Sequence, residues 1–266
     1  MSYVSGQLAH IPRLVRVRPG LYRAPEGREI HSVTRILGET HDSEFKSALR
    51  RWRATVGREG ADYVTQRGAE RGSTLHNAIE AYLCEQADSR AIPPRIKEFL
   101  DTRLGELLGV EVPLIHRTLP YAGTADLVGY VDGVLRVVDW KTSTKPPTWQ
   151  SVAKYDVQIA AYAHALESWG LPRPEGFVLV QPDQRRGLTG WAKPEEFELP
   201  AGRIQQALEE FLARLDRYVH ARIVVKSAIV AHRRVRWTRH TSAVIWLNRV
   251  GPIPATNPVC GCTKEE

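Results

Sequence analysis

The chain has 266 residues but only three cysteines, Cys84, Cys260 and Cys262. That usage gives no disulfide framework and suits a reducing cytoplasm. Three thiolates also fall short of the four ligands an iron–sulfur cluster takes, so no such cluster is expected. No apolar stretch approaches the roughly 20 residues needed to span a bilayer, and no membrane partner is expected. Residues 1–18 alternate apolar and basic side chains without a continuous apolar segment, so no secretory signal is expected either. Internal repeats and low-complexity blocks are also missing. The Cys260-Gly261-Cys262 pair near the end could bind a metal or be chemically inert.

The chain does carry positive charge: +7 at pH 7, with a sequence pI near 9.4. An anionic partner would suit that balance, but ribosome-adjacent and membrane-surface proteins share it, so charge decides little by itself. At this length one sizeable core can be buried, which favours an α/β domain with appended segments over two independent domains.

The most informative feature is Asp139-Trp140-Lys141, at the end of the β-branched run Val134-Leu135-Arg136-Val137-Val138. Such a run reads as a buried strand. Asp139 and Lys141 are two apart and so share a face of it. Asp132-Gly133 is a strong hairpin signal, and folding there brings Asp126 of the preceding strand beside Asp139. Two carboxylates and an ammonium are costly to bury unless they pair or hold a metal. Oxygen ligands for a hard divalent cation, with a lysine where the phosphorane gains charge, suit phosphodiester hydrolysis. A strand ending in a solvated Asp and a surface Lys is nevertheless common, and the motif alone is weak.

Three further features add to it. Gln158 and Tyr162 lie four apart in an alanine-rich helical segment and share a face. An ordinary helix packed by Tyr162 would look the same. Upstream, Leu75, Ile79 and Leu83 form the apolar stripe of a helix, with His76 beside the stripe. A lone helix histidine is more often a surface or core residue. Gly123 precedes Asp126 and allows close backbone approach on the way into the strand.

Taken in order, Gly-x-x-x-His, Gly-x-x-Asp, Asp-x-Lys and Gln-x-x-x-Tyr resemble the PD-(D/E)XK nuclease superfamily. The likeness is to its RecB/Cas4-like branch, with bacteriophage exonucleases and mitochondrial genome maintenance exonucleases. Ser32-Val33-Thr34-Arg35-Ile36-Leu37 also looks like the start of that group. The likeness covers about residues 30–185. It implies a restriction-endonuclease-like α/β core: a central mixed β-sheet flanked by helices, with N-terminal helices and a basic C-terminal extension. It further implies that His76, Asp126 and Asp139 ligate Mg²⁺ or Mn²⁺, with the Trp140 carbonyl as a further ligand. Lys141 would be the catalytic lysine, and Gln158 and Tyr162 would orient DNA or the Lys141 region. Iron–sulfur members of the branch carry four cysteines, a pattern this chain departs from.

The expected activity is a metal-dependent DNA exonuclease acting on single strands or free ends in recombination, repair or phage replication. The expected setting is a bacterial or phage-infected host cytoplasm. An endonuclease or junction resolvase of the same superfamily, or a non-catalytic DNA-binding protein on this scaffold, would share most of these motifs.

The expected organisation is an irregular arm over 1–30, a nuclease domain over 31–220 and a basic extension over 221–266. Helices are expected from Asp42 to Gly57, Ala61 to Gln86 and Pro93 to Leu108. Strands follow at Val110–His116, Ala122–Val131 and Val134–Lys141, then a helix at Trp149–Trp169 and a strand at Gly176–Gln181. A further strand is possible at Leu188–Ala192, before a helix at Gly202–His220. The first helix is basic and aromatic on one side, through Lys46, Arg50, Arg51, Trp52 and Arg53. Likeness to the family suggests that it encloses a single strand, although a solvated helix face has the same composition. Arg222–Arg249 interleaves cations with Trp237 and Trp246, a pattern for tracking nucleic acid or for a charged edge hairpin.

Overall fold

A computed structural model describes residues 3–84, 91–183 and 192–235, with side chains through 223. Its centre is a five-stranded mixed sheet in the order β4-β5-β6-β7-β8. The strands are β4 (Leu104–Ile115), β5 (Ala122–Val131), β6 (Val134–Ser143), β7 (Glu175–Pro182) and β8 (Glu195–Leu199). Neighbours are antiparallel except β6 and β7, which run parallel. A parallel pair needs a crossover, supplied here by helix α4 (Trp149–Glu167). The Asp132-Gly133 turn forms as expected, with both residues at positive φ (50° and 78°).

The sheet is covered on both faces. On one side, the second half of helix α2 (Ser43–Leu83) and helix α3 (Pro94–Thr102) bury Leu75, Ile79, Ile96 and Phe99. These pack against Val138, Trp140 and Phe177 of the sheet. On the other side, α4, helix α5 (Ala201–Val235) and helix α1 (Val33–Glu39) enclose Val137, Val178, Ile159, Phe211 and Ile36. The alternation of β6 follows: Val138 and Trp140 enter the first cluster, leaving Asp139 and Lys141 on the α4 side.

Several expected boundaries move. The first two helices run together as α2, interrupted by non-helical backbone at Gly57 (φ 74°, ψ 166°). The arm expected to be irregular over 1–30 is ordered into strands from Val15 onward. These form a three-stranded sheet of β1 (Val15–Arg18), β2 (Leu21–Arg23) and β3 (Glu29–His31), which buries Leu21, Tyr22 and Ile30. The third helix stops at Thr102, and β4 begins at Leu104 where helix had been expected to Leu108. Strand β8 lies just beyond the possible Leu188–Ala192 strand, most of which falls outside the described residues. From Arg222 to Val235 the chain continues α5 instead of forming an edge hairpin; the rest of that segment, with Cys260 and Cys262, lies outside the described residues.

Candidate active site

The ladder between β5 and β6 runs from Val131↔Val134 to Leu127↔Val138 and then stops. The next facing pair would be Asp126 and Asp139, and the site is built where this backbone pairing ends. Asp126 Oδ2 accepts the Trp140 backbone N–H at 2.9 Å, so a side chain replaces the missing ladder partner. On its other edge β6 stays paired with β7 through Asp139↔Val178 and Lys141↔Val180 to Ser143↔Pro182. The strand is thus fixed on one side and open on the other.

Lys141 Nζ forms an ion pair with Asp139 Oδ2, lies 4.0 Å from Asp126 Oδ2, and donates to the Trp140 carbonyl at 3.2 Å. Burial works against its charge, but Asp139 and Asp126 outweigh it and raise the lysine pKa. Burial pushes the Asp139 carboxyl up to about 6 and raises that of Asp126, with the Lys141 ammonium opposing both shifts. The second Asp139 oxygen, Oδ1, accepts from Gln158 Nε2 at 3.1 Å. The same amide lies 3.4 Å from the Tyr162 hydroxyl, whose ionisation burial suppresses. Gln158 and Tyr162 therefore act together on one face of α4, as their spacing indicates.

His76 reaches the strand end from α2. Its Nε2 donates to the Trp140 carbonyl at 2.9 Å, which leaves Nδ1 facing Asp126 Oδ1 at 3.5 Å and Glu111 Oε1 at 3.6 Å. Burial lowers the His76 pKa, yet the Glu111 bond and the Asp126 charge more than offset this and raise it. A nitrogen lone pair aimed at two carboxylates needs a proton or a cation between them. The ligand atoms of His76, Glu111 and Asp126 all lie within 4.8 Å of one another, and one nitrogen with two carboxylate oxygens suits a divalent cation. Asp139 sits on the Lys141 side of this group. The Trp140 carbonyl already accepts from His76 and Lys141, so it becomes a ligand only if one of them moves away.

Glu111 is the residue that sequence reasoning missed. It lies on β4 between Val110↔Leu127 and Val112↔Ala125, which sets it opposite Asp126. Its backbone is left-handed (φ 49°), uncommon for a residue with a side chain and frequent at functional sites. A lone carboxylate among Gly109-Val110 and Val112-Pro113-Leu114 was the available signal.

Gly123 matters for a reason other than strand entry: the Tyr162 ring fills the space its side chain would need. Ser32 caps α1 by accepting the Arg35 N–H, and its backbone bridges to Ala122, so the expected Ser-Val-Thr segment borders the start of β5.

A profile of the PD-(D/E)XK nuclease superfamily matches residues 7–229. Among curated proteins, mitochondrial genome maintenance exonuclease 1 of Homo sapiens is 33% identical over 150 residues, 52% of this chain and 44% of that protein. The same-named protein of Mus musculus is 32% identical over 149 residues, again 52% of this chain and 44% of its own length. The match thus spans less than half the length of these relatives. With the match covering most of its length and the five-stranded mixed sheet between helices in place, the chain belongs to the PD-(D/E)XK nuclease superfamily.

Proposed function

We propose that this chain is a metal-dependent deoxyribonuclease that removes nucleotides from DNA ends, with single strands preferred. The observation that carries this reading is the convergence of Asp126, Asp139 and Lys141 where the β5–β6 ladder ends, with His76 and Glu111 beside them. His76, Glu111 and Asp126 would hold Mg²⁺ or Mn²⁺, with Asp139 as a further ligand. A bound divalent cation supplies positive charge to the scissile phosphate and lowers the pKa of water.

The chain's own residues do the rest. Lys141, kept protonated by its carboxylate neighbours, offers a fixed positive charge to the phosphorane formed by in-line attack of water. Gln158 holds one oxygen of Asp139 and so sets the direction of the other. Tyr162, neutral because it is buried, anchors that amide.

The preference for free ends rests on α2. Before Gly57 it exposes Phe45, with Trp52 half-buried, together with Lys46, Arg50, Arg51 and Arg53, a mixture that can stack bases and neutralise phosphates. We read this segment as a cover through which a strand is threaded. The named activity of the curated relatives, an exonuclease, supports the reading. A cytoplasm, bacterial or phage-infected, and a role in recombination, repair or phage replication fit the same reading. Among the described residues, no helix is long and apolar enough to cross a membrane.

The test is digestion of end-labelled single- and double-stranded DNA and of a covalently closed single-stranded circle, with Mg²⁺, Mn²⁺ or EDTA. Linear single strands should be degraded, closed circles should resist, and EDTA should stop the reaction. Degradation of the circle at the linear rate favours an endonuclease or junction resolvase. Binding without cleavage favours a non-catalytic DNA-binding protein.

A further inference from the structure

Lysine reaches its charge through four flexible carbons, so a catalytic ammonium has to be held from outside its own side chain. Three of the groups around Lys141 Nζ are the Asp139 and Asp126 carboxylates and the Trp140 carbonyl. Each of these has a second task in the proposed reaction: the carboxylates serve the cation, and the carbonyl accepts from His76. A group with no second task in the proposed reaction comes from α4. The half-buried ring of Tyr155 lies with its centroid 5.0 Å from Lys141 Nζ, within the range of a cation–π contact.

Tyr155 is three residues before Gln158 and seven before Tyr162, so all three share a face of the helix. One helix therefore holds both members of the Lys141–Asp139 pair, Gln158 the carboxylate and Tyr155 the ammonium. The ring's attraction for the lysine persists when Asp139 turns its charge to another cation.

Resting on the proposed nuclease function, we propose that Tyr155 is a positioning residue for Lys141. The contact lies between the ring and the ammonium, so the phenol hydroxyl is dispensable. Lys154 also lies over this ring, at 4.9 Å, and is exposed, which makes Lys154→Ala the control for its contribution.

The experiment measures single-turnover cleavage of linear single-stranded DNA, DNA affinity, and Mn²⁺ affinity by calorimetry. Tyr155→Phe should stay within about twofold of the wild-type rate, and Lys154→Ala likewise. Tyr155→Leu should lose about three- to thirtyfold in rate, the span of a cation–π contact, with both affinities within about twofold. Because leucine can repack, the deciding series places phenylalanine, difluorophenylalanine and pentafluorophenylalanine at 155. Their sizes are nearly equal while the ring's negative face weakens, so the rate should fall along the series. A flat series, or a loss confined to DNA or Mn²⁺ affinity, overturns the proposal. A wild-type protein that cleaves none of the DNA forms overturns the nuclease reading and this role with it; an active wild type with a flat series overturns the Tyr155 role alone.

Discussion

The ring of Tyr162 occupies the volume that any side chain on Gly123 would require. A Cβ there would overlap Tyr162 Cε1 and lie 3.1 Å from both its Cζ and its hydroxyl oxygen. Gly123 is on β5, paired with Leu114 of β4, and Tyr162 is buried on α4, so neither backbone is free to yield.

Gly123→Ala should therefore destabilise the protein by about 1–3 kcal/mol, the usual cost of overpacking. It should also cut activity by displacing the Tyr162–Gln158–Asp139 chain. Introduced into Tyr162→Leu, the same change should cost less than half as much stability. Equal costs in the two backgrounds, read by urea unfolding, would place the strain elsewhere.

Lys141→Ala should leave the fold and Mn²⁺ binding nearly intact but slow cleavage by about 10²–10³, the typical cost of removing one partner of transition-state charge. A variant that keeps more than about a third of the wild-type rate refutes the catalytic assignment.

The proposed cation site can be read by calorimetry without turnover. Asp126→Asn and Glu111→Gln should each weaken Mn²⁺ binding by about tenfold or more, since each removes a charged oxygen ligand. His76→Ala should shift preference from Mn²⁺ toward Mg²⁺ by removing the nitrogen ligand. Asp139→Asn should abolish cleavage while DNA binding persists or tightens. Unchanged Mn²⁺ affinity in Glu111→Gln would remove that residue from the site.

Replacing Arg50, Arg51 and Arg53 with Ala should weaken DNA binding and flatten its dependence on salt, because fewer counterions are released. A triple variant that binds and cuts like wild type would reduce the start of α2 to a solvated face.

His116 should contribute stability that is lost in mild acid, against an opposite contribution from the buried Asp139 carboxyl, whose pKa is raised to about 6. The His116 Nδ1 accepts the backbone N–H groups of Thr118 (3.1 Å) and Leu119 (2.9 Å), which a proton would displace. Burial, with some repulsion from His164, pushes the His116 pKa down to about 4 from an ordinary 6.5. Between those values this histidine binds more protons in the unfolded chain, so its contribution is full above about 6.5 and declines as pH falls toward 4, by up to roughly 3 kcal/mol. His116→Asn keeps an acceptor that does not titrate, and its stability should vary less with pH. Burial lowers the His164 pKa as well, so some slope should remain. Equal dependence of wild type and His116→Asn on pH, compared by urea unfolding at pH 7, 5.5 and 4.5, would contradict this.

The hairpin carrying Asp126, Asp139 and Lys141 was legible in the sequence because its signals are local: an Asp-Gly turn, β-branched strands and a fixed spacing across them. The helix with Gln158 and Tyr162 was legible for the same reason. Glu111 was not, since its role depends on strand pairing with β5 and on a left-handed backbone that no composition announces. The start of β4 read as helix because register shifts between Leu104, Leu107 and Gly109 erase the alternation expected of a strand. The β1–β3 sheet escaped notice because strands of three or four residues, set among Pro12, Pro19 and Pro25, are too short to display a period.

The interruption at Gly57 has a further consequence. Beyond it α2 buries Ala61, Leu75 and Ile79 and delivers His76 to the site; before it the helix buries no side chain at all. The two halves of α2, joined through the Gly57 kink, therefore have two local stabilities. The amides before Gly57 should exchange with solvent at a rate close to that of an isolated peptide, while those around His76 wait for the sheet to open. Fraying of the first half then leaves the histidine in place, so under the proposed function a strand would enter and leave without the ligand set being rebuilt.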